Sequence, residues 1–225
     1  MKRTFTFFLF TLILLTGCAP ASPASTPQPI AIQYTAAAQP WLADLASCSG
    51  NNVVTTELRS ADSLDITQAD LTIRIGESTN LASSTYQIGT DDIQIIANRQ
   101  NPIDRLTIEQ VRGLFTGQIQ NWKNIQGADA PVQVWVFAAG QDVQQIFEQT
   151  SLGGTPVTSE ARLATGPDEM AQAITNDINA VGIFSSHWDP GNASILFTGA
   201  SVPVLASTSS EPQGALPQIL ACLQK

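Results

Sequence analysis

The chain has 225 residues, 43% of them apolar and only 13% charged, with ten Lys and Arg against 19 Asp and Glu and a net charge of −9. That acidic balance, without a cluster of basic residues, excludes nucleic acid as a natural partner, because phosphate contacts need a basic face. It also denies the surface any long-range pull on small anions.

In chain order, Lys2 and Arg3 precede the apolar run Phe5–Leu15, which is too short to span a membrane comfortably as a mature helix. The run ends in Leu15-Thr16-Gly17-Cys18, which resembles a bacterial lipobox. Residues 1–17 are therefore expected to be a lipoprotein signal peptide and Cys18 the lipidated N-terminus. A plainly cleaved signal or an uncleaved anchor are the alternatives. Removing Lys2 and Arg3 leaves eight basic residues against 19 acidic ones, a mature charge of −11. Residues 18–28 are rich in Ala, Ser, Thr and Pro and uncharged, the composition of an extended tether.

Strand patterns follow at Ile30–Tyr34, Asn52–Leu58 and Ala69–Gly76, with a helix expected over Pro40–Ser47, its proline suited to a first turn. Thr85–Asn98 is a longer β-rich run that would cross between lobes. Thr107 and Gln110 have capping-box spacing, placing Ile108, Val111, Leu114 and Phe115 on one helical face. A strand at Pro131–Phe137, helices at Asp142–Thr150 and Pro167–Asn176, and a strand at Ala180–Ser185 come next. The strand Val202–Ala206 and the helix Gln213–Gln224 close the chain. Such β-α alternation predicts an α/β fold with largely parallel sheets.

Residues 101–123 run from an extended Asn101-Pro102 entry through the amphipathic helix to Gly117 and Trp122. This stretch closely resembles a segment of the phosphate-binding-like periplasmic receptors, the solute-binding lipoproteins that feed ABC importers. A second match lies in Asn176-Asp177-Ile178-Asn179-Ala180-Val181-Gly182-Ile183-Phe184. The resemblance covers residues 29–206 and implies a two-lobe type II periplasmic-binding-protein fold. Lobe 1 is then expected at residues 29–98 plus 190–225 and lobe 2 at residues 99–189, with hinges around Asn98 and Phe184–Trp188. It further implies a small-molecule or oxyanion ligand, ABC permease subunits as partners, a monomer, and membrane attachment through the lipid anchor alone. The site of action would be the extracytoplasmic face of a bacterial membrane.

In an open α/β sheet, ligands sit beyond the carboxyl ends of strands, where helix N-termini offer free N–H groups. Four turns answer to that: Thr35–Gln39, Gly76–Thr79, Gly140–Val143 and Ala164–Pro167. The ligand-binding candidates are Thr35, Ala36, Arg74, Gly76, Ser78, Gly140, Gln141, Asp142, Val143 and Thr165. By the resemblance, Thr35 holds the place of a small hydroxyl, Ala36 replaces another, and Gly140-Gln141-Asp142-Val143 stands where a Ser-Gly-Thr cradle would lie. Asp142 reads as a helix N-cap whose carboxylate takes the donors an anion would want, which opposes tight binding of fully ionised phosphate. Its alternative role is to accept from an amine or a protonated ligand. Arg74 either pairs with a surface carboxylate or clamps an oxyanion bidentately. Tyr34 and Trp41 flank the first turn, with core packing expected before any stacking on ligand.

Cys48 and Cys222 are the pair left once Cys18 is assigned, and an extracytoplasmic setting favours a disulfide over two buried thiols. No cofactor, metal or catalytic constellation is expected. The single His187 has no histidine partner, and nucleophile-elbow, Walker and dinucleotide signatures are absent from the sequence.

Overall fold

The computed structural model describes residues 28–77 and 84–225. Cys18 and Ser78 lie outside the described residues. The opening unit is β1 (Ile30–Tyr34), a 3-10 turn at Ala36–Trp41 and α1 (Leu42–Ser49), followed by β2 (Val54–Leu58). The helix therefore extends two residues beyond Ser47, and Cys48 sits in its last turn rather than past its end. After a second 3-10 turn, Ala61–Ser63, comes β3 (Leu71–Ile75), then the long β4 (Ser84–Asn98). The second half holds α2 (Ile108–Phe115), a 3-10 turn at Trp122–Ile125, β5 (Gln133–Phe137) and α3 (Asp142–Thr150). It continues with β6 (Arg162–Ala164), α4 (Pro167–Asn176) and β7 (Ala180–Ser185). The chain returns along β8 (Ala193–Thr208) and ends in α5 (Leu216–Leu223).

The strands form one ladder in the order β2-β1-β3-β8-β4-β7-β5-β6. At one end β2, β1 and β3 are parallel; at the other β7, β5 and β6 are parallel. The antiparallel pair β4/β8 joins the two groups along its whole length. This is the two-lobe α/β fold, with two parallel βα units strung on a pair of crossing strands. Along β4, the residues Ile93–Ala97 pair with β7, whereas the partner strand β8 meets β3 through Val204–Ser207. The change of neighbours falls at Asp91–Gln94, where the β4/β8 register also shifts. The crossing strands are thus β4 and β8, and β7 ends beside the crossing instead of making it.

Packing explains why the two recognisable sequence segments travel together. Leu114, Phe115 and Trp122 are almost wholly buried, and Phe115 meets Phe147 edge-on at 4.7 Å. The Trp122 indole Nε1 donates to the Asn179 carbonyl at 3.0 Å, and the Asn101 amide reaches the Ile178 carbonyl. Gly182 in β7 lets Met170 and Ile174 of α4 lie directly on the strand; a Cβ there would collide with the Met170 sulfur. The capping box is present: Gln110 N–H donates to Thr107 Oγ1 at 3.3 Å and Thr107 N–H to Gln110 Oε1 at 2.8 Å. Thr107→Ala is expected to cost about 1 kcal/mol, read as a lower urea midpoint with an unchanged slope.

Candidate functional site

The first and third turns, and the strand end that precedes the second, meet at one carboxylate. Thr35 follows β1 and is fully buried; its Oγ1 donates to Asp142 Oδ2 at 2.5 Å. The backbone N–H of Ile75, last residue of β3, donates to the same oxygen at 3.1 Å. Val143 N–H donates to Asp142 Oδ1 at 3.0 Å. Asp142 is not the N-cap expected from sequence. Gln141 holds that position without a side-chain cap bond, and Asp142 is the first helical residue, its side chain reaching across to β1 and β3.

A carboxylate at a helix start, fed by a hydroxyl and two amides, lies where an incoming oxyanion would find its donors. Full burial raises the Asp142 pKa above the usual carboxylate range; the Thr35 hydroxyl, the Ile75 amide, the Arg74 charge and the Val143 amide oppose that rise. The chain's own carboxyl group thus takes up these donors.

The centre of the cleft is filled as well. Ala36, Gln141, Val143 and Thr165, together with Phe137 and Trp188, line a space of about 10 Å³, barely the room of one water. Trp188 is the closing piece. Its Nε1 donates to the Ala36 carbonyl at 3.3 Å, and its ring meets Phe137 and Phe184 edge-on at 5.6 and 5.2 Å. Thr165 is engaged with Glu169 through both its N–H and its hydroxyl, at 2.7 and 2.6 Å. These bonds, the hydroxyl's first, hold the exposed Glu169 carboxyl below its ordinary pKa. The Gly140 carbonyl accepts from Ala61 N–H at 2.8 Å.

Arg74 and Gly76 lie apart from this centre, on a cavity of about 790 Å³ that also borders α3. Among the described residues no carboxylate pairs with Arg74, so the surface ion pair weighed from sequence is not seen there. Tyr34 and Trp41 pack against the core.

Residues 29–212 match the PBP superfamily domain, most of the chain. The chain belongs to the PBP superfamily. Two similar solved structures are an ABC-type phosphate transport receptor from Vibrio cholerae and a phosphate-bound Clostridium perfringens protein assigned as a phosphate ABC transporter substrate-binding protein. The first is 20% identical with a TM-score of 0.70, the second 17% with 0.78; each comparison covers 87% of this chain and 93% of the other. The reduced regulatory domain of OxyR2 from Vibrio vulnificus is also similar, at 12% identity and a TM-score of 0.63, covering 92% of this chain and 99% of that one. At such identities the likeness is one of fold.

Within this PBP fold, sequence reasoning passed over Asp91, a buried carboxylate where β4 changes neighbours. It accepts from Ser185 Oγ at 2.6 Å, from Ser186 N–H and Oγ at 3.0 and 2.8 Å, and contacts His187 Nδ1 at 3.2 Å. The His187 ring lies 4.5 Å from that of Trp41. Asp91 therefore fastens the end of β7, and with it Trp188, to the crossing strand. Only the run Ser185-Ser186-His187, three potential donors after a buried strand, hinted at such an acceptor.

Proposed function

We propose that this PBP-superfamily chain is an extracytoplasmic solute receptor. It is anchored by acyl groups on Cys18, acts as a monomer, and presents a small ligand to the permease of an ABC importer. The observation that supports this most directly is the convergence of Thr35, Ile75 and Val143, from both parallel sheet units, on one point between them. The lobes are proposed to meet where β4 changes neighbours, near Asp91, so that closure pivots on β4 and β8. The phosphate receptors of similar fold lend the transport part of the reading.

The ligand is proposed to differ from theirs. A fully ionised phosphate would have to displace the Asp142 carboxylate from its donors or lie against it, and like charges at contact in a buried site are strongly unfavourable. Titrating the full chain with inorganic phosphate, sulfate, molybdate and small carboxylates by calorimetry tests this. The expected result is micromolar or tighter binding of one small solute, with phosphate weaker than about 1 mM, a scale on which binding energy is only about 4 kcal/mol. Nanomolar phosphate affinity would overturn the role given to Asp142. A second reading, a sensing or scaffolding lipoprotein that kept the fold, is favoured by Trp188 and Asp142 filling the cleft from within. Flat calorimetric traces across the whole panel would select it.

A further inference from the structure

Beside Arg74, both sheet units offer polar side chains around a ligand-sized volume. It measures about 790 Å³, within the range of small-molecule sites. Asp62, Arg74 and Glu77 come from the β1–β3 unit; Gln145, Gln149 and Thr150 come from α3 of the other. A molecule seated there would touch both lobes, which is what ligand-driven closure requires.

Arg74 is poised on weak bonds. Its Nε donates to the Ile75 carbonyl at 3.3 Å and its Nη2 to Gln145 Oε1 at 3.4 Å, both long and both to neutral oxygens. A carboxylate arriving on the planar fork forms shorter, charge-assisted bonds and displaces those contacts at a net gain. Gln145 is already turned the right way. Its Nε2 donates to Asp62 Oδ1 at 2.6 Å, so arginine, carboxamide and aspartate form a line along one wall. That wall ends in an acceptor, and Glu77 is a second carboxylate on the same cavity.

Charge then selects the ligand class. One guanidinium and two carboxylates leave the cavity with a net charge of about −1. A dianion gains one cation and meets the repulsion of these acids. A ligand with one carboxylate and one ammonium group meets a partner at each end and brings no net charge. We propose that this cavity is a binding site for a small zwitterion of the α-amino-acid type, its carboxylate on Arg74 and its ammonium group on Asp62 and Glu77.

The proposal rests on the receptor reading, and the test separates the two. The full chain in detergent is titrated calorimetrically with the proteinogenic α-amino acids, their N-acetyl derivatives, succinate and inorganic phosphate. At least one amino acid is expected to bind, and its N-acetyl derivative to bind at least tenfold more weakly. Arg74→Gln is expected to weaken that amino acid about 100-fold, as loss of a desolvated charge partner does. Gln149→Ala, an exposed change on α3, should weaken it by less, and unchanged melting temperatures show that both variants fold. Binding of succinate or phosphate with no amino acid bound overturns the ligand class while the receptor stands. Amino-acid affinity unaffected by Arg74→Gln overturns the site. No binding by any probe removes the receptor reading and this inference together.

Discussion

Asp142→Ala is expected to destabilise the folded chain at neutral pH, and Asp142→Asn to destabilise it less. Alanine strands the buried Thr35 hydroxyl and the Ile75 and Val143 amides without an acceptor. Each orphaned donor costs about 1–3 kcal/mol, and loss of the desolvated charge offsets part of the sum, for a net penalty of about 2–4 kcal/mol. Asparagine carries no buried charge and keeps one carbonyl oxygen, which satisfies the Ile75 amide or the Val143 amide but not both, because the two donate to different oxygens. The two variants should also differ from the parent in their response to pH. Burial raises the folded-state pKa of Asp142 above the ordinary aspartate value of 3.8. Below that value both states carry the proton and the burial costs nothing. As pH rises, the unfolded chain releases its proton first, so this group's contribution falls until pH passes the folded pKa and is then constant. The stability difference between Asp142→Asn and the parent should therefore shift in favour of asparagine as pH rises from 3.5. Urea midpoints measured from pH 3.5 to 8 check this. A constant difference across that range would show that the carboxylate is not held desolvated by the fold.

Legibility in the sequence followed locality. The strands Ile30–Tyr34 and Ala180–Ser185 and the helices Asp142–Thr150 and Pro167–Asn176 have the expected boundaries, because period and breaker residues coincide there. The first half of β8 escaped notice. Its apolar run Ile195-Leu196-Phe197 is only three residues long, flanked by small and polar residues with Gly199 just beyond, and it is a strand because β4 lies beside it. The edge strand Arg162–Ala164 is too short for any alternation to show. At the site, the glycine and aspartate of the third turn pointed to Asp142 as an occupant of anion donors. Its partners did not follow from spacing, since Thr35 and Ile75 lie 107 and 67 residues away and the latter offers only a backbone amide. Trp188 read as a hinge residue. Its role as a plug depends on Phe137 and Ala36, which only the folded sheet brings to it.

The largest expected loss of stability comes from the Cys48–Cys222 bond, which joins α1 to α5 across 174 residues of sequence. A cross-link that closes so long a loop removes unfolded-state entropy worth about 5 kcal/mol in the chain-entropy model, and removal of native disulfides costs about 2–5 kcal/mol in practice. The double variant Cys48→Ser/Cys222→Ser is therefore expected to lose about 3–5 kcal/mol, a fall of roughly 10 °C in Tm for a chain of this size. It should still fold. Helix α5 keeps Ile219, Leu220 and Leu223 in the core, and Leu45 remains buried on α1. Two further readouts separate an unfolded-state effect from a damaged native state. The urea slope should rise, because the unfolded chain without its cross-link exposes more surface. Hydrogen exchange should quicken first in α5, the last element of the chain, which without the bond is held by one apolar face. An unchanged midpoint in the double variant would mean that the packing of α5 alone holds the returning chain to the unit where it began, and that the bond adds nothing to the folded state's margin.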